Sequence, residues 1–81
     1  MNIYIGNLSY GVRENDLQKV MEEYGAVASV RVIKDRNTGR SKGFGFCEMT
    51  NDEEARNAIE KLNGTDLSGR PLVVKEALPR D

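Results

Sequence analysis

The sequence predicts an α+β fold in the order β-α-β-β-α-β, a four-stranded antiparallel sheet with both helices on one face. Two observations carry this. Apolar residues recur at i, i+3, i+4 and i+7 in two segments, Leu17, Val20, Met21 and Tyr24, then Ala55, Ala58, Ile59 and Leu62, the stripe of an amphipathic helix. Around and between them lie short β-branched or aromatic runs closed by turn residues, the mark of strands.

Ile3-Tyr4-Ile5, closed by Gly6-Asn7, is the first strand. The first helix covers 14–24 and stops at Gly25, the residue that most readily takes a left-handed cap. Val27 to Ile33 is the second strand, with Val30 and Val32 on one face and Arg31 and Ile33 on the other. The polar stretch from Asp35 to Ser41 is a loop. Phe44 to Met49 alternates as a third strand. Asn51, three residues before Glu54, opens the second helix as a variant capping box, and Asn63-Gly64 ends it. Thr65 to Gly69 is a connector, and Pro71 opens a fourth strand, Leu72 to Lys75, at the position where a strand tolerates proline. The whole is a ferredoxin-like sandwich. One domain spans 1–78, and 79–81 are a short tail.

Composition narrows the function. Hydrophobic residues are 38% and charged residues 31% of the 81, which is ordinary for a globular domain and unlike a disordered chain. No apolar run approaches the roughly 20 residues needed to span a bilayer, and no signal peptide opens the chain, so a cytoplasmic protein without membrane contact is expected. A single cysteine, Cys47, and no histidine exclude a disulfide within the chain, a CxxC pair and every histidine-based triad. Neither a metal nor a cofactor is expected.

The net charge of −1 conceals polarity. Residues 31–42 carry Arg31, Lys34, Arg36, Arg40 and Lys42 against Asp35, a local +4, whereas 14–23 carry a local −3. With helices on one sheet face, the other face is open unless a partner covers it. Strand alternation assigns the residues to the two faces. Ile3 and Ile5 form the core pair and leave Tyr4 outside. Gly45, Cys47 and Met49 point inward and leave Phe44, Phe46 and Glu48 outside. The opposite register would bury the phenylalanines, but Glu48 would be buried with them. Exposed rings beside a basic loop suit single-stranded nucleic acid, with flat faces for bases and cations for phosphates.

Lys42-Gly43-Phe44-Gly45-Phe46-Cys47-Glu48-Met49 resembles the ribonucleoprotein octamer of the RNA recognition motif, K/R-G-F/Y-G/A-F-V-x-F/Y. Ile3-Tyr4-Ile5-Gly6-Asn7-Leu8 resembles its companion hexamer. The loop wording at Asp35, Thr38-Gly39 and Arg40, and later at Leu62-Asn63-Gly64 and Gly69-Arg70, is similar too, so the likeness runs from Asn2 to about Ala77. It looks most like the small one-motif proteins of bacteria and the plant glycine-rich group, without their tail. The resemblance implies that Tyr4, Phe44 and Phe46 stack on bases and sugars and that Lys42 meets phosphate. Asn7, at the strand end, is either a nucleic-acid contact or a turn residue. Arg31, Ile33, Val73 and Lys75 extend the outward surface, and Arg40 belongs to the basic loop. Cys47 and Met49 depart from the octamer and Met21 from the usual phenylalanine of the first helix, all at core positions. Arg13 stands where a Ser or Thr would cap that helix.

The expected partner is therefore single-stranded RNA, or single-stranded DNA, bound by a monomer. The alternative is a protein-binding module of the same fold that uses the aromatic face or the acidic helices. Small phosphatases share the fold, and Ser9-Tyr10-Gly11-Val12-Arg13 is a weak match to an anion-binding loop. Nothing resembling a paired acid and base accompanies it, so no enzyme is expected.

Overall fold

The computed structural model describes residues 1–77. Strand β1 (Asn2–Gly6), helix α1 (Glu14–Glu22), strands β2 (Val27–Lys34) and β3 (Ser41–Met49) and helix α2 (Asp52–Leu62) follow in the predicted order. Two short strands, β4 (Asp66–Leu67) and β5 (Arg70–Pro71), precede the last, β6 (Val73–Glu76). The main sheet is antiparallel in the order β2-β3-β1-β6. The tail at 79–81 lies outside the described residues.

Each helix starts differently. Arg13 supplies no side-chain cap to α1; instead the Asp16 carboxylate accepts the Arg13 backbone N–H at 3.0 Å. At α2 the Asn51 side chain accepts the Glu54 N–H at 3.0 Å, half of the expected capping box. The other half is absent because Glu54 Oε1 accepts the Ala26 N–H at 3.4 Å, fastening α2 to the entry of β2.

The fourth strand and its connector need correction. Thr65 to Gly69 is not a plain connector: β4 and β5 form a hairpin turning at Ser68-Gly69, both with positive φ. Two positive-φ central residues give the turn hand that suits a tight hairpin. Pro71 therefore belongs to this hairpin, paired with Asp66, and the sheet strand begins at Val73 rather than Leu72. The third strand also starts earlier than expected, at Ser41, which pairs with Lys34.

The core lies between helices and sheet. Ile3, Ile5, Cys47, Met49 and Val74 from the strands meet Leu17 and Met21 of α1 and Ala55, Ala58 and Leu62 of α2. The alanines let α2 approach the sheet closely. A fully buried aliphatic side chain such as Ile3 or Ile5 contributes about 1.5–3 kcal/mol relative to exposure.

Cys47 fills this core as a small hydrophobe, 2% exposed. Burial, reinforced by the neighbouring Glu48 charge and opposed by the N-terminal amine, pushes its thiol from 9.0 up to about 11. Below pH 9 folded and unfolded chains both hold the proton, so the thiol leaves stability unchanged there. As pH rises from 9 through about 11, the unfolded chain ionises first and stability is lost. Alkaline unfolding of the parent and Cys47→Val should show this, with the parent losing stability faster across that window. Parallel curves would show that the buried thiol does not contribute.

Candidate nucleic-acid interface

The open face is built from the strand alternation. Tyr4, Phe44 and Phe46 face away from the helices and are half-buried, packed against one another, while their strand neighbours Ile5, Gly45 and Cys47 are buried. Tyr4 pairs with Phe46 across β1 and β3, Arg31 pairs with Phe46 across β2 and β3, and Lys75 pairs with Tyr4 across β6 and β1. One row across the sheet thus reads Arg31, Phe46, Tyr4, Lys75: two rings between two cations.

The rings form a tight triangle. Tyr4 and Phe44 have centroids 6.0 Å apart with planes at 28°. Phe46 stands edgewise to both, at 5.8 Å from Tyr4 and 6.1 Å from Phe44. The Lys75 ammonium is 5.3 Å from the Tyr4 ring centre, within cation–π reach. Gly6 makes the arrangement possible: a Cβ there would lie 2.6 Å from the Tyr4 hydroxyl and 2.7 Å from its ring, so only glycine lets the ring lie along β1.

Charge is graded along the strands. At one end of β3, Glu48 is exposed beside Asn2, its partner on β1. At the other end stand Lys42 and the basic loop. Asp35, the only carboxylate in that loop, is occupied internally, since its side chain accepts the N–H groups of Asn37 at 2.7 Å and Thr38 at 3.4 Å. No ion pair joins it to the loop's cations among the described residues.

Asn7 is engaged within the fold. It has φ 58°, its amide nitrogen donates to the Pro71 carbonyl at 2.6 Å, and its oxygen accepts from the Arg70 guanidinium at 2.7 Å. These bonds clamp the end of β1 to the β4–β5 hairpin. They also bring Arg70 to the edge of a depression lined by Tyr4, Lys42, Phe44 and Tyr10. Sequence reasoning gave Arg70 no place at the site; the basic residue following a hairpin glycine was the available signal. Tyr4, Phe44, Phe46, Arg31, Lys42 and Lys75 share the open face or its rim, and Arg40 lines a groove beside Lys42. Among the described residues no three His, Cys, Asp or Glu side chains converge as a metal site, and no helix is long and apolar enough to cross a membrane.

Comparison with known proteins agrees with this geometry. The model of the family described as the RNA recognition motif matches residues 3–73. The chain is 52% identical to RbpA of Synechocystis sp. over 81 residues, all of this chain and 80% of that protein. The crystal structure of the RNA-binding protein PG1 superposes with a TM-score of 0.96 at 59% identity, covering 100% of this chain and 98% of that one. The structure of the Rna15 motif with bound RNA (GU) gives a TM-score of 0.87 at 30% identity, covering 99% and 85%.

Proposed function

The chain belongs to the RNA recognition motif family, and from that premise we propose that it binds single-stranded RNA on the open sheet face as a cytoplasmic monomer. It is not an enzyme. The row Arg31, Phe46, Tyr4, Lys75 carries the reading. Two rings offer stacking surfaces to successive bases, and the flanking cations neutralise the phosphates that connect them. Phe44, partly stacked on Tyr4, contributes the third surface, against a base or a sugar. Lys42 and Arg40 guide the backbone where it leaves the sheet. Asn7 acts through the clamp that holds Arg70. Single-stranded DNA offers the same bases and phosphates and would compete for the same platform. A peptide partner would use the rings but has no need of cations at both ends of the row, which favours RNA.

Salt dependence tests this. With Arg31, Arg40, Lys42 and Lys75 supplying only a few phosphate contacts, log affinity should fall against log salt with a slope of about −0.7 per contact, roughly −1 to −3 in all. Titration of labelled single-stranded RNA at several salt concentrations measures it. A slope near zero would favour the peptide reading. One much steeper would mean that residues beyond these four, or several protein molecules, share each strand.

A further inference from the structure

We propose that Arg70 selects guanine: fixed at the rim of the depression beside Tyr4 and Phe44, its guanidinium reads the edge of a base that lies there. This deepens the RNA reading of the open face and rests on it. The backbone of Arg70 is held by the β4–β5 hairpin, where it pairs with Leu67. The hairpin is anchored in turn, since the Gly64 N–H donates to the Leu72 carbonyl and the Leu72 N–H to the Thr65 carbonyl, both at 2.8 Å. The far end of the side chain is held as well: Nη2 donates to Asn7 Oδ1 at 2.7 Å. Among the described residues no carboxylate pairs with this guanidinium, and its Nε and Nη1 make no hydrogen bond. A planar fork is thus pinned at one corner with its other edge free.

Arg70 lines a depression of about 260 Å³ together with Tyr4, Phe44 and Lys42. That is smaller than the roughly 300–1,000 Å³ of clefts that enclose a whole small ligand, and it suits one flat group. The rings supply a stacking wall and Lys42 a flexible point charge for phosphate, which leaves the rigid fork for the base. Guanine presents two acceptors, O6 and N7, side by side in the spacing of an arginine fork. Adenine calls for an amide instead, and the amide within reach is spent: Asn7 accepts from Arg70 through Oδ1 and donates through Nδ2 to the Pro71 carbonyl at 2.6 Å. Cytosine offers O2 and N3 to a fork, but its amino group then needs an acceptor such as a carboxylate, and none lines the depression. Because the fork is already held in place, little side-chain freedom remains to be lost when a base arrives.

The experiment measures, by fluorescence anisotropy, the affinity of a uridine heptamer and of three heptamers that carry a single guanine, adenine or cytosine at the centre. The parent should bind the guanine heptamer about tenfold to a hundredfold more tightly than the other three. Arg70→Lys keeps the charge and loses the fork, so it should erase that preference by costing the guanine heptamer more than the rest. Asn7→Gly keeps the positive φ and removes the clamp, and should shrink the preference with Arg70 still present. The proposal is overturned by a parent without guanine preference, or by a preference that survives in full in Arg70→Lys or in Asn7→Gly. Equal losses on all four RNAs in Arg70→Lys would overturn it too, by making Arg70 a phosphate contact or a brace of the fold. Failure of the sheet reading has a different signature: Phe46→Ala would then weaken none of the four RNAs, and the guanine reading would fall with it.

Discussion

Ile5→Ala is expected to cost about 2–5 kcal/mol of stability, a large part of what so small a domain has. Ile5 is 1% exposed and stands between Gly45 of β3 and Val74 of β6 at the centre of the sheet. Truncation removes methyl and methylene groups from contact with the helices and leaves a cavity. Collapse around that cavity is restricted because β1 is hydrogen-bonded on both sides. Thermal or denaturant unfolding of parent and variant measures the loss. The surviving folded fraction should still bind RNA with near-parent affinity, since Ile5 faces away from the rings. A loss below about 1 kcal/mol would show that the helices can close over the gap.

Phe46→Ala should do the reverse. It removes the ring at the centre of the cationic row, an expected loss of about 1–3 kcal/mol in binding, or roughly tenfold to a hundredfold in affinity. Stability should fall far less than in Ile5→Ala, because the ring is only half-buried and its contacts are with other open-face rings. Tyr4→Ala should follow the same pattern, and Phe44→Ala should fall between the two classes. Unfolding and RNA titration under one set of conditions separate these outcomes. If Phe46→Ala unfolded the chain as severely as Ile5→Ala, the ring would belong to the core in solution. If it stayed folded and bound RNA at parent strength, the strand would lie elsewhere.

The sheet face was legible in the sequence because a charged residue shares the parity of the aromatics. Glu48 cannot be buried without a partner, so Phe44 and Phe46 had to face outward with it, and Tyr4 followed from the isoleucines on either side. The β4–β5 hairpin was not legible, since strands of two residues carry no periodicity and Pro71 argued for a strand start instead. Nor was the Asn7 clamp, whose partners Arg70 and Pro71 lie at the far end of the chain. Tyr10 was equally silent. A lone tyrosine in a loop has no pattern to betray its neighbours, and only the bond from Leu8 to Gly43 places it beside Phe44.

The pairing of Tyr4 with Phe46 joins residues separated by half of the chain. No fragment containing only one of the two motifs can assemble the platform, so ligand recognises the completed fold and nothing short of it. RNA therefore acts as a thermodynamic brake on opening: at a hundred times its dissociation constant, a ligand of the native state alone adds about 2.7 kcal/mol of stability. The lifetime of the protein in a cell would then depend on how much RNA surrounds it, with the free chain opening more often and meeting proteases more readily than the bound one.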